Sequence, residues 1–204
     1  MDILVATHNK GKAKELEYFL SGLNVKVLTL KDIGYNLEIE ETGETFEDNS
    51  FIKAKVASKL GYIGIADDSG LCVKALGDRP GVYSARYAGE DGNTEKNNKK
   101  LLDEMKGLTD REAKFVSVIT CVIPGKEEIV ISARGECQGT ILEIQKGTNG
   151  FGYDPLFYYE PFKKTFAEMT DEEKNSVSHR AKAIENFMKK FLPIIKKEEK
   201  NDNK

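Results

Sequence analysis

Ile3 to Ala6 is a short unbroken apolar run, which predicts a buried strand. Behind it Ala13, Leu16, Leu20 and Leu23 recur at helical spacing, with Lys14, Glu15 and Glu17 mostly facing outward and Asn9 placed to cap the helix. Val25 to Leu28 reads as the next strand, so the chain opens β-α-β, the unit that builds helix-covered sheets. Thr45 to Leu60 predicts a second helix, opened by a capping-box pair, Thr45 and Asp48, and stopped by Gly61. Asn49 and Lys53 lie four apart on it and share a face. Ile63 to Ala66 is a further buried strand, and Asn93 to Met105 a further helix. Phe115 to Ile123 and Glu128 to Arg134 are rich in β-branched residues and separated by "PGK", a hairpin signal, with Gln138 to Ile144 extending the sheet. Residues 147–155 form a glycine-rich loop, and Ser176 to Leu192 a closing helix. The order predicts a mixed α/β fold: an elongated mixed sheet with flanking helices, in two lobes around a central cleft.

The 204-residue length suits one large domain or two small lobes, and a net charge of −3 argues against binding nucleic acid through a broad basic face. Small anionic substrates held by a few local cations remain open. Three scattered cysteines, Cys72, Cys121 and Cys137, have neither metal-site nor redox-motif spacing and suit a reducing compartment. With no signal-peptide pattern and no membrane-length apolar run, the reading is a soluble cytoplasmic protein. The last nine residues, "KKEEKNDNK", carry no apolar side chain and are expected to be disordered.

Four polar clusters interrupt the pattern. "ATHNKGK", residues 6–12, joins a strand end to a helix start, where free N–H groups attract anions; Asn9 and Lys12 share a face, and an ordinary cap with solvated lysines is the plainer reading. Glu38, Glu40, Glu41, Glu44, Glu47 and Asp48 concentrate negative charge, which either solvent or a hard divalent cation must relieve. "DDSG", residues 67–70, follows the strand of Ile63 to Ala66: it offers a metal ligand, a proton acceptor and a hydroxyl, or simply a turn satisfied by its own side chains. Finally "TNGFGYDP" and "EEKNSVSHR" supply Phe151 and Tyr153, which either stack on a planar base or cap a core, together with Lys174, His179 and Arg180. Together the clusters offer what a nucleoside triphosphate needs: cations for phosphates, carboxylates for a divalent ion, an aromatic for the base.

The ordered series "ATHNKGKAKELE", "EETGETFEDNSFIKAK", "IADDSGLCVKALGDRPGVYSARYAG", "GFGYDPLF" and "KTFAEMTDEEKNSVSHR" resembles the inosine/xanthosine triphosphate pyrophosphatase (Ham1-like) family, bacterial type, over nearly the whole chain. The resemblance implies hydrolysis of ITP, dITP, XTP and dXTP to monophosphate and pyrophosphate, a Mg²⁺ cofactor, a usual homodimer, and no nucleic-acid or membrane partner. It implies one pyrophosphatase domain over residues 1–195, with 196–204 outside it. It also implies that Thr7, His8, Asn9, Lys10, Gly11 and Lys12 surround the triphosphate and that Glu40 and Asp68 bind the metal. Asp68 would be the proton acceptor and Ser69 would touch substrate. Lys53 would point into the cleft, and Phe151, Gly152, Tyr153, Asp154, Lys174, His179 and Arg180 would form the nucleoside pocket. Lys163 departs from the pattern, which often has glycine there, and leaves that loop's shape open. Two alternatives stand beside this reading: a Maf-like pyrophosphatase acting on other modified or pyrimidine nucleotides, and a non-catalytic nucleotide-binding protein.

Overall fold

The computed structural model describes residues 2–7, 10–20, 25–89 and 92–202; of residues 10, 11, 14, 15, 19 and 196–202 it describes the backbone alone. His8, Asn9 and Leu23 lie outside the described residues. The strands are β1 (Asp2–Val5), β2 (Lys26–Thr29), β3 (Ile63–Val73), β4 (Arg79–Pro80), β5 (Glu112–Ile123), β6 (Ile129–Ile141), β7 (Phe157–Tyr159) and β8 (Lys164–Thr165). The helices are α1 (Lys10–Leu20), α2 (Phe46–Lys59), α3 (Thr94–Glu104), α4 (Asp171–Val177) and α5 (His179–Asp202). The sheet order is β2-β1-β3-β5-β6-β7-β8, with β4 paired to β3, so the expected mixed α/β sheet with helices is present. The chain divides into two compact units: residues 1–68, 118–134 and 183–204 make the first, and residues 69–117 and 135–182 the second.

In the first unit β1 pairs in parallel with β2, Ile3 opposite Val27, and with β3, Ile3 opposite Ile63. Strand alternation sends Ile3, Val5, Ile63 and Ile65 to one cluster with Leu16, Leu20, Phe187 and Phe191, and Leu4, Ala6 and Ala66 to another with Ala54 and Ala57. Helix α2 begins as the sequence indicates: Thr45 and Asp48 exchange side-chain-to-backbone bonds in a capping box. Gly64 lets α2 press onto β3, since a Cβ there would lie 2.1 Å from the Ala54 carbonyl oxygen.

In the second unit Phe115, Phe157 and Phe166 form a ring cluster, with centroids 4.5 to 5.7 Å apart, beside Leu71, Val73 and Leu101. Lys163 has φ +55°, the left-handed backbone that glycine adopts without a Cβ penalty, so this departure from the pattern keeps the glycine-like conformation.

Three elements differ from expectation. Strand β3 does not stop at Ala66; it continues through Asp67, Asp68, Ser69 and Gly70 to Val73, which excludes a local DDSG turn. Lysines from two helices neutralise its carboxylates, as described below. The expected closing helix is two helices, broken at Ser178, whose extended backbone and Oγ, accepting from the Ala181 N–H, restart the helix at His179. Residues 196–202, expected to be disordered, remain helical: their Lys and Glu are good helix formers and extend a helix already packed at Phe187, Phe191 and Ile195.

Candidate active site

The first unit places two buried acids on β3 against lysines from two helices. Asp67 is fully buried in its side chain, and Lys12 of α1 reaches its Oδ2 at 2.8 Å. Asp68 Oδ1 accepts from Lys53 Nζ of α2 at 3.2 Å, and the same ammonium lies 2.5 Å from Glu41. Asp68 Oδ2 is buried and has no hydrogen-bond partner among the described residues. Burial pushes the Asp68 carboxyl above its ordinary range; Lys53 and Lys12 oppose the shift, while the charges of Glu41 and Asp67 add to it. For Lys53 burial favours the neutral form, yet Asp68 and Glu41 together outweigh it and hold the ammonium above its usual value. Asn49, one turn before Lys53 and fully buried, accepts from the Gly43 N–H at 2.8 Å. The two residues thus hold the acidic 38–44 segment from one helix face, Asn49 at Gly43 and Lys53 at Glu41.

The second unit gathers the other candidates. Asp154 Oδ2 accepts from the Phe151 N–H at 2.8 Å and from Lys174 Nζ at 2.6 Å. The Phe151 ring is 53% exposed, with Lys174 4.9 Å and Arg180 5.8 Å from its centroid. Arg180, buried at the start of α5, donates to Ser69 Oγ at 3.1 Å. His179 stacks on Phe115 at 4.8 Å and 16°. Tyr153 is buried, and its hydroxyl donates to the Ser84 carbonyl oxygen at 2.9 Å.

A family model described as the Ham1 family matches residues 3–190. The chain belongs to the Ham1 family. Within this family it is 46% identical over 202 residues to the dITP/XTP pyrophosphatase of Clostridium perfringens, covering 95% of this chain and 98% of that protein. It is 50% identical over 186 residues to the dITP/XTP pyrophosphatase of Bacillus licheniformis, covering 90% and 94%. The solved Ham1 protein of Staphylococcus aureus superposes with a TM-score of 0.85 at 41% identity, covering 95% of this chain and 98% of that one.

In this Ham1-family chain the sequence-derived site residues meet different fates. Lys12, Lys53 and Asp68 come together in the first unit, and Ser69, Phe151, Asp154, Lys174 and Arg180 in the second. Thr7 follows β1, its N–H bonded to the Val5 carbonyl. His8 and Asn9 are outside the described residues, and Lys10 and Gly11 contribute backbone to α1. Glu40 is exposed; the contact with Lys53 is made by its neighbour Glu41, which in sequence is one acid among several in an acidic run. The pairing of Asp67 with Lys12 has no local signal in sequence beyond two opposite charges far apart along the chain. A hard divalent cation fits this donor set on one observation, the buried carboxylate oxygen Asp68 Oδ2 left without a described partner.

Proposed function

We propose that this chain hydrolyses dITP and XTP, with ITP and dXTP, to the nucleoside monophosphate and pyrophosphate. The observation that carries the reading is Asp68: a buried carboxylate with one oxygen on Lys53 and the other free of described partners. The 46% and 50% identity to dITP/XTP pyrophosphatases, over nearly their full length, supports the substrate class.

Asp68 Oδ2 takes the proton of a water molecule as that water's oxygen bonds to the α-phosphorus. The bond from that phosphorus to the bridging oxygen breaks, and pyrophosphate leaves with the electron pair. Burial raises Asp68, and a stronger base is better matched to this work near neutral pH. Lys53 keeps the carboxylate oriented through Oδ1, and Lys12 supplies positive charge for the phosphates. Glu40 and Asp68 would hold Mg²⁺, which when bound neutralises charge on the phosphate oxygens. Thr7, with Lys12, contacts the triphosphate.

Phe151 offers its exposed ring to the purine, and His179 and Arg180 supply N–H donors for a 6-oxo group. In adenine the 6-amino group would face such a donor with another donor, and sites built on this mismatch discriminate by roughly 10⁴ or more. Residues 1–195 act as one catalytic domain in this reading, and the protein works as a cytoplasmic homodimer.

A nucleotide panel with and without Mg²⁺ tests the proposal. Pyrophosphate released from dITP and XTP, and little from ATP, GTP, dTTP or UTP, is the expected result. Release of orthophosphate, or equal turnover of ATP and ITP, refutes it.

A further inference from the structure

The segment "RPGVYSARYAG", residues 79–89, takes no part in the chemistry above, yet its bonds converge on the loop that presents Phe151. Ser84 is the junction. Its Oγ accepts from the Leu71 N–H at 2.8 Å and donates to the Gly81 carbonyl at 2.6 Å. Its own carbonyl accepts from the Tyr153 hydroxyl at 2.9 Å. Leu71 lies two residues beyond Ser69 on β3, so one serine ties the strand carrying Ser69 to the loop carrying Phe151.

Helix α3 adds a second pair of ties. Asn97 accepts from the Ala88 N–H at 2.7 Å and donates to the Ala85 carbonyl at 2.9 Å, which fixes the 84–88 segment. Its neighbour Asn98, 1% exposed, donates to the Gly152 carbonyl at 3.1 Å. Loop 151–154 is therefore gripped at Gly152 by Asn98, at Tyr153 by Ser84 and at Asp154 by Lys174. Of the loop's three side chains, Phe151 alone is largely open to solvent. Burial raises the Tyr153 phenol, so its hydroxyl remains a donor across working pH.

We infer that Ser84, Asn97, Asn98 and Tyr153 are positioning residues that fix the nucleoside loop and so set how Phe151 meets the purine. This assigns Tyr153 an anchoring role instead of base stacking, and rests on the function proposed above. A loop held by buried hydrogen bonds is already ordered when the nucleoside arrives, so its ordering does not weaken binding.

The test uses Tyr153→Phe and Asn98→Leu in the full chain, each of which removes one donor and keeps most of the side chain's volume. Amide hydrogen exchange over residues 150–154 is expected to accelerate in both. Loss of one buried bond is expected to raise KM for ITP about five- to tenfold, with kcat within about twofold. Inhibition by tripolyphosphate, which lacks a nucleoside, is expected to stay as in the wild type. Unchanged exchange overturns the inference. So does faster exchange with an unchanged KM, and so does a parallel weakening of tripolyphosphate inhibition, which would mark general loosening. If the wild type fails to hydrolyse ITP, the proposed function fails, while the exchange measurement still decides whether the loop is braced.

Discussion

Replacing Lys53 by methionine isolates the energetics of the buried charges. Lys53 is 8% exposed and bonded to Asp68 and Glu41, so the change leaves Asp68 buried 5% exposed with neither oxygen partnered by the ammonium. Breaking one partner of a buried ion pair costs about 3–5 kcal/mol. The carboxyl has an escape, because it can bind a proton. Burial already raises Asp68 against the pull of Lys53, and removing that ammonium raises it further. The folded variant then holds a proton over a range where the unfolded chain, titrating near its ordinary value, has released it. The folded state binds more protons, so stability falls as pH rises, by up to about 1.4 kcal/mol per unit for one group. The wild type shares the direction more weakly, so the difference between the two proteins is the readout. Urea unfolding followed by circular dichroism, with EDTA present so that no cation replaces the ammonium, measures it at pH 5, 6.5 and 8. The penalty is expected to be small at pH 5 and to approach the full value at pH 8, and Lys53→Met with Asp68→Asn is expected to recover most of it. A penalty under about 1 kcal/mol at every pH would refute the reasoning, since a buried pair cannot break so cheaply.

Three further outcomes follow from the same geometry. Gly64→Ala should lower stability by about 2–3 kcal/mol in thermal or urea unfolding, because the added methyl meets the Ala54 carbonyl, a backbone group that cannot swing aside as a flexible side chain would. Phe151→Ala should raise KM for XTP about tenfold with an unchanged melting temperature, since the ring is more than half exposed and its loss removes a stacking surface rather than core; steady-state kinetics alongside calorimetry separates the two. Asp68→Asn should cost about 10²–10⁴ in kcat while the protein stays folded, as judged by its circular dichroism, because the amide removes the proton acceptor and also a desolvated charge.

Local signals were read well from sequence where the physics is local. The capping box of Thr45 and Asp48, and the β-α-β opening, need only neighbours within a few residues. The strand through DDSG was not legible, because adjacent carboxylates read as a strand end. Lys12 on α1 and Lys53 on α2, each more than a dozen residues away in sequence, help make charge tolerable inside β3. The same limit applies to Glu40 and Glu41, whose order along a loop does not say which one turns toward Lys53. Phe151 and Tyr153 are equivalent in a glycine-rich motif, and burial plus one hydrogen bond to Ser84 gives them different surroundings, Tyr153 held inside and Phe151 open to solvent.

Whether water attacks the α-phosphorus under the direction of Asp68 is most directly tested by turnover of XTP in oxygen-18 water, with products resolved by mass spectrometry. The expected result is label in the monophosphate alone, at a rate that collapses in Asp68→Asn. Label in the released pyrophosphate, or a variant that incorporates it at the wild-type rate, would contradict it.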